Sequence, residues 1–108
     1  MNPASAAELP VPLQPVQAAQ VLSGVPRAGA VVLGEFSGLE VGVWEHTPGA
    51  STDVEADELF VVLAGRATVR FLDEDRIVTL GPGSVVQLSA GLRTEWVVTE
   101  TLRKVYLA

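Results

Sequence analysis

A chain of 108 residues is long enough to form one hydrophobic core and too short to form two. Its apolar fraction of 48% and charged fraction of 19% are typical of a globular domain and exclude a disordered chain. The net charge of −6 disfavours nucleic acid and anionic membranes as partners, and the absence of cysteine excludes disulfides, thiol nucleophiles and thiolate metal sites.

The first part of the chain is rich in proline, with Pro10, Pro12 and Pro15 close together. Because proline fixes φ and lacks a backbone donor, we predict an extended N-terminal arm over residues 1–26, with a helical turn near residues 17–22. Such an arm drapes over a barrel or pairs along one of its edges. We expect no chemistry from it.

From residue 27 to residue 108 the chain consists of short apolar segments separated by glycine, proline and acidic turns. Segments of this kind predict β-strands. The predicted strands are residues 31–33, 39–46, 58–63, 67–72, 76–80, 85–88, 94–98 and 103–107. Without helical periodicity between them, they indicate one all-β sandwich or barrel over residues 27–108.

Two segments carry motif-like spacing. Glu58 is followed after six residues by Gly65, and the segment 83–98 places a turn at residues 89–91 before Thr94. These segments resemble the paired motifs of the cupin superfamily. The resemblance implies an RmlC-like jelly roll, a double-stranded β-helix whose two motifs line the interior of one barrel.

The resemblance also shows which metal ligands are replaced. Metal-binding cupins carry His-x-His three or four residues before the motif glutamate, and a further histidine in the second motif. The corresponding positions here hold Thr52 and Val54 or Ser51 and Asp53, and then Thr94. Of the usual four ligands only Glu58 remains, and one carboxylate cannot hold a first-row transition metal. We therefore expect no tightly bound metal cofactor, with a weakly held divalent ion as the alternative.

Three further stretches, residues 44–49, 91–96 and 102–106, resemble small single-domain cupins similar to the C-terminal domain of ureidoglycine aminohydrolase. Many members of that group have Thr or Cys at the second-motif histidine position, and most have no assigned activity. The aminohydrolase itself holds manganese with His, Glu and Gln, and most of those positions are not matched here. The resemblance implies the fold more strongly than the reaction.

Period-two alternation, combined with the cupin resemblance, predicts the inward-facing side chains. The predicted ligand pocket consists of Glu58, Phe60, Thr94, Trp96, Trp44 and His46. We expect one tryptophan to belong to the core and Trp96 to line the pocket. No catalytic residue is assigned.

Glu58 begins an apolar strand, so its carboxylate should be partly desolvated and could bind an amine, act as a general base or ligate a metal. The alternative is a rim carboxylate paired with the backbone or with Arg93. His46, the only histidine, is either a proton shuttle or ligand near Glu58, or a strand-end residue partly in solvent.

An acidic run comprises Asp53, Glu55, Asp57 and Glu58. Its oxygens could bind Mn²⁺, Mg²⁺ or Ca²⁺, but the run lacks the spacing of a calcium loop and is more typical of a solvated loop. A Ser-His-Asp triad of Ser89, His46 and Asp53 is conceivable, but nothing in the sequence positions it.

The leading hypothesis is a small-molecule-binding cupin. Its ligand should be small, polar and nitrogen-bearing, because the only charge predicted in the pocket is negative. One alternative is a manganese-dependent enzyme resembling (S)-ureidoglycine aminohydrolase, built on His46 and Glu58; another is a non-catalytic dimerisation or regulatory barrel. The sequence does not decide whether the protein is an enzyme.

The longest apolar run, residues 59–64, is far shorter than the roughly 20 residues that a membrane-spanning helix needs. No basic stretch followed by an apolar core opens the sequence, so we expect a cytoplasmic protein. A chain this apolar is expected to cover part of its outer surface, most simply in a homodimer.

Overall fold

The computed structural model describes all 108 residues, and nearly every element in it is a β-strand. In chain order the elements are β1 (Gln14–Pro15), a 3₁₀ turn (Ala18–Gln20), β2 (Val21–Ser23), β3 (Arg27–Phe36), β4 (Leu39–His46), β5 (Gly49–Val54), β6 (Glu58–Phe71), β7 (Arg76–Leu80), β8 (Val85–Leu88) and β9 (Arg93–Leu107). Antiparallel pairing joins the nine strands into one curled sheet. The expectation of a single all-β barrel is confirmed.

Two long strands, β6 and β9, organise the barrel. β9 pairs with β5 through its first half and with β4 through its second half, while β6 runs antiparallel to β9 along nearly its whole length. The outer edge of β6 pairs with β8 and then with β7. Because each long strand takes part in both halves of the sheet, the sheet curls around an interior instead of lying flat.

β6 is one strand and not the two that the sequence indicated. Its register against β9 shifts between Val62 and Ala67, where Gly65 has a φ of +93°. Phe60 and Val62 are buried before this bulge, and Ala67 and Val69 are buried after it. The bulge therefore switches the inward face from even to odd positions, which a period-two pattern cannot follow.

The N-terminal segment, residues 1–26, adds one short strand at each end of the strand order β1-β3-β4-β9-β5-β2. β1 pairs with β3, and β2 pairs with β5, so the 3₁₀ turn between them bridges two edges of the barrel. Further upstream, the guanidinium of Arg103 donates to the carbonyl oxygens of Ala6 and Leu9 at 3.1 and 2.7 Å. The N-terminal segment is thus fixed to the barrel at three places.

The core is a cluster of eleven buried apolar residues, drawn mainly from β6 and β9. Phe60, Leu80, Leu88 and Leu102 are each at most 1% exposed. Trp96 belongs both to this cluster and to the wall of the cavity described below, so the core and the cavity share a boundary.

Several apolar side chains remain on the outer surface, among them Phe36 and Val85, which are 64% and 65% exposed. A homodimer would cover side chains of this kind, and it stays a prediction. A helix with the length and hydropathy needed to cross a membrane is absent from the structure.

Candidate ligand-binding site

A cavity of about 500 Å³ opens inside the barrel. Its walls come mainly from β3, β4, β5, β9, the first residue of β6 and residues 14–20. On β3 the lining residues are Ala28 and Ala30, which pair with His46 and Trp44 across the sheet. Two methyl side chains opposite two large rings leave room that bulkier residues would fill. The volume lies in the usual range of small-molecule sites.

The only lysine of the chain lines this cavity. Lys104 is 4% exposed, and its Nζ donates to Oε2 of Glu58 at 2.6 Å. The same ammonium lies 4.5 Å from the ring centroid of Trp44, 4.2 Å from that of Phe60 and 5.1 Å from that of Trp96. Aromatic faces attract cations, so these rings replace part of the hydration that the ammonium has lost. The cavity therefore contains a fixed internal cation.

Glu55 forms a second polar cluster on the wall. Its Oε2 accepts hydrogen bonds from the Thr94 hydroxyl at 2.6 Å and from the Trp96 indole nitrogen at 3.0 Å. Burial raises the pKa of Glu55, and the two donors oppose that rise by stabilising the carboxylate. The backbone of Glu55 donates to the carbonyl of Leu92 and accepts from the amide of Gly91, and these bonds fix the backbone that carries the carboxylate. Oε1 makes no hydrogen bond within the protein, which leaves one oxygen for a ligand.

His46 is 2% exposed, so the expectation of a strand-end histidine partly in solvent is wrong. Its Nδ1 lies 2.7 Å from the carbonyl oxygen of Thr47, and its Nε2 lies 3.0 Å from Oγ of Ser51. Burial lowers the pKa of His46, and the charge of Lys104 acts in the same direction. The imidazole is therefore neutral at neutral pH.

Tyr106 and Glu40 form a third polar pair on the cavity wall. The phenol hydroxyl donates to Oε2 of Glu40 at 2.8 Å. Burial, followed by the hydrogen bond and charge of Glu40, raises the pKa of Tyr106 to about 12. The phenol therefore stays protonated throughout the physiological range.

Tyr106 is the only tyrosine, so its ionisation can be followed by near-ultraviolet absorbance. We expect a midpoint of about 12 in the folded protein. The resulting stabilisation is complete below the ordinary tyrosine pKa of about 10 and is lost as pH rises through the folded value. Glu40→Gln should move the midpoint towards 10, because it removes a neighbouring negative charge. Glu35→Gln, on the neighbouring strand, should leave it unchanged; equal midpoints in wild type and Glu40→Gln would contradict the assignment.

Four of the six side chains predicted for the pocket line the cavity: Trp44, His46, Glu58 and Trp96. Phe60 and Thr94 are 0% exposed and lie behind the wall, which corrects the expectation of direct contact. The ring of Phe60 contacts the ammonium of Lys104, and the hydroxyl of Thr94 donates to Glu55, so both residues act on the cavity indirectly. Both tryptophans line the cavity, so the expected division into one core and one pocket tryptophan is not observed.

The acidic run at residues 53–58 is partly a strand end and partly the expected solvated loop, because residues 55–57 lie between two strands and Asp53 and Asp57 are exposed. β5 extends through Val54, which the sequence had not indicated as a strand. The lining residues from this run are Asp53, Glu55 and Glu58. Asp57 is used differently, because its Oδ1 accepts a hydrogen bond from the backbone nitrogen of Ala90 at 2.8 Å. The run therefore supplies most of the cavity's negative charge.

Lys104 was not among the predicted pocket residues, although the alternation of inward and outward side chains along β9 contained the signal. Trp96 was placed inward, and the same period-two pattern continued along β9 reaches Lys104 after eight residues. The predicted interruption between residues 98 and 103 concealed this continuity. The expectation that only negative charge faces the pocket is wrong.

Two further expectations are corrected. Arg93 does not approach Glu58; it pairs with Asp73 on the surface at 2.5 Å. The N-terminal segment, from which no chemistry was expected, contributes amide side chains to the cavity wall from Gln14, Gln17 and Gln20. Only the closure of the barrel by this segment makes these amides part of the site.

The donors around the cavity do not fit a transition metal. Both ring nitrogens of His46 already have partners, and the Glu58 carboxylate is bound to the ammonium of Lys104. No group of three or more His, Asp or Glu side chains is placed to hold a metal ion. A metal cation beside Glu58 would also be repelled by Lys104. The residues of this cavity therefore favour a salt bridge at Glu58 and not a metal ion.

Comparison with known proteins supports the fold. A family model described as an EutQ-like cupin domain matches residues 33–106. A protein of unknown function from Pseudomonas syringae pv. tomato superposes with a TM-score of 0.79 at 24% identity, over 94% of this chain and 45% of that chain. No protein with a curated description matches this sequence.

Two other solved structures are similar. A protein of unknown function from Rhizobium leguminosarum gives a TM-score of 0.66 at 24% identity, over 74% of this chain and 78% of that chain. The EutQ protein of Clostridium difficile gives a TM-score of 0.64 at 17% identity, over 76% of this chain and 67% of that chain. This chain spans less than half of the Pseudomonas protein, and identities of this size show the fold alone. The narrower resemblance to ureidoglycine aminohydrolase stays a prediction.

Proposed function

The chain belongs to the family of EutQ-like cupin domains, and on that premise we propose that its cavity binds a small amine-bearing molecule without a resident transition metal. The observation that carries this proposal is the charge of the cavity wall. Four carboxylates line it, against one ammonium. A bound cation would restore the balance.

The negative charges on the cavity wall are unevenly neutralised. Lys104 neutralises Glu58 at 2.6 Å, and His46 is neutral. The carboxylates of Glu40 and Asp53 have no basic side chain paired with them in the cavity, and the charge of Lys104 is the weakest of the influences on the pKa of Glu55. A negative, partly enclosed wall favours the entry of cations and disfavours anionic ligands. The carboxylates therefore favour an ammonium or amidinium group.

Glu55 is the best-placed acceptor for that group. Its Oε2 is held by Thr94 and Trp96, so the carboxylate is oriented before a ligand arrives. Its Oε1 is available to accept a charge-assisted hydrogen bond, which is stronger than a neutral one. The methyl groups of Ala28 and Ala30 leave space for the carbon part of the ligand.

The test is thermal shift and calorimetric titration with ethanolamine and agmatine, using ethylene glycol as the uncharged control. Both amines should stabilise the wild type, whereas the glycol should not. Glu55→Gln should weaken amine binding about tenfold to hundredfold, because a hydrogen bond to a charged group contributes about 1.5–3 kcal/mol. Glu95→Gln, on the outer face beside Arg70, should bind like wild type.

Equal responses to the amines and the glycol would contradict an amine site, as would unchanged binding by Glu55→Gln. A barrel used only for dimerisation or regulation would respond to none of the three compounds. No contact in the cavity favours the manganese-dependent alternative.

A further inference from the structure

Ser51 and His46 form a hydrogen-bonded pair on the cavity wall, separate from the carboxylates. They lie on the consecutive strands β5 and β4, which both pair with β9 and are joined by a short turn at residues 47–48. Ser51 is 6% exposed and His46 is 2% exposed, and both side chains line the cavity. The Oγ to Nε2 distance is 3.0 Å. That distance is within the range of a serine and its general base.

The direction of this hydrogen bond follows from the opposite side of the ring. Nδ1 lies 2.7 Å from the carbonyl oxygen of Thr47, which can only accept, so Nδ1 carries the proton. In a neutral imidazole Nε2 is then the acceptor, and the Ser51 hydroxyl donates to it. The Thr47 carbonyl thus orients the ring and sets its tautomer, which a carboxylate does in a Ser-His-Asp triad.

We propose that Ser51 is a nucleophile activated by His46 and that it takes an acyl group from a small carboxylic ester. The Ser51 oxygen forms a bond to the ester carbonyl carbon while its proton passes to Nε2 of His46. The carbon–oxygen bond of the leaving alcohol then breaks, and that alcohol takes the proton from Nε2. Water attacks the acyl-serine by the same route, releasing the acid and restoring Ser51.

The cavity offers a donor for the oxygen that becomes negative during this step. The Gln20 side chain lines the same cavity, and its Nε2 donates to the carbonyl of Thr52 at 3.5 Å. This places the amide beside the residue that follows Ser51, with a second N–H left to bind the ester oxygen. The proposal is independent of amine binding, because it uses neither Glu55 nor the other carboxylates.

The first test is covalent labelling with a fluorophosphonate, followed by intact mass and peptide mapping. Attack by Ser51 forms an Oγ–phosphorus bond and releases fluoride with the serine proton. We expect one label on wild type, at Ser51, and none on Ser51→Ala. Ser89→Ala, which removes an exposed hydroxyl without a side-chain hydrogen bond, should label like wild type. His46→Gln should slow labelling about 100-fold or more, the contribution typical of a general base.

The second test covers the case in which Ser51→Ala or His46→Gln fails to fold. The chain has no cysteine, so Ser51→Cys and Ser89→Cys each introduce a single thiol. Beside His46 the buried thiol should react with iodoacetamide faster than the exposed one, although burial alone would make it slower. Absence of label on Ser51 of the wild type, label spread equally over several serines, or slower alkylation of Ser51→Cys than of Ser89→Cys would each overturn the proposal.

Discussion

Replacing Lys104 with methionine should lower the free energy of unfolding by about 3 kcal/mol, although methionine has a similar length and is more apolar. Lys104 and Glu58 have side-chain exposures of 6% and 19% and are 2.6 Å apart. Removal of one partner leaves the other charge uncompensated in a poorly hydrated place, which typically costs about 3–5 kcal/mol. Glu58 keeps some access to the cavity, so the low end of that range applies. Urea denaturation measures the loss.

The double variant Glu58→Gln/Lys104→Met separates loss of the pair from loss of packing. With neither charge buried, it should recover most of the stability that the single variant lost. Arg66→Met is the surface control, because Arg66 and Glu100 are both 65% exposed and 3.8 Å apart. That change should stay within about 1 kcal/mol of wild type. A Lys104→Met protein as stable as the Arg66→Met protein would show that the internal cation has no structural role.

Gly65→Ala should destabilise the barrel by about 3 kcal/mol or more, to the point of preventing folding. Gly65 has a φ of +93°, and a Cβ there would overlap the carbonyl of Thr101 and lie 2.7 Å from Cα of Leu102. The left-handed backbone alone costs about 1–2 kcal/mol in any other residue, and overpacking adds about 1–3 kcal/mol. The contact is with backbone, so no side-chain rotation relieves it. Circular dichroism during thermal and urea unfolding measures the effect.

Gly83→Ala is the matched control. Gly83 has a φ of +90° but has no atom within 4 Å of its built Cβ. It should therefore lose only the conformational part, about 1–2 kcal/mol. The difference between the two variants isolates the close approach of β6 to β9 at the bulge. If both variants lost the same stability, that close approach would not be what requires glycine at position 65.

The local pattern of apolar and turn residues was sufficient to predict a strand's bounds where the strand is short and flanked by turn residues. β4, β7 and β8 have the same bounds as the predicted strands at residues 39–46, 76–80 and 85–88. It failed for β5, whose sequence Gly-Ala-Ser-Thr-Asp-Val has small and polar side chains and a weak intrinsic preference for strands. β5 forms because β9 and β2 supply backbone partners on its two sides. Tertiary pairing overrides propensity there.

The candidate site also has features that the local pattern predicts and features that only strand pairing decides. Alternation could place Glu58 and Trp96 on inward faces, since each lies within one regular strand. It could not pair Glu58 with Lys104, because these residues are 46 positions apart on strands whose register is set by a bulge. The same holds for Glu55, which meets Thr94 only through the pairing of β5 with β9.

The sequence by itself determined the all-β class, the presence of a single histidine and the inward placement of several large side chains. These properties follow from composition, from motif positions and from side-chain period, which are local. The tertiary structure alone decided that the Lys104 ammonium meets Glu58, that three glutamines enter the wall and that Glu55 meets Thr94. Each of these depends on how the sheet curls and which strands become neighbours, and contacts between distant strands are not encoded in any short stretch of sequence.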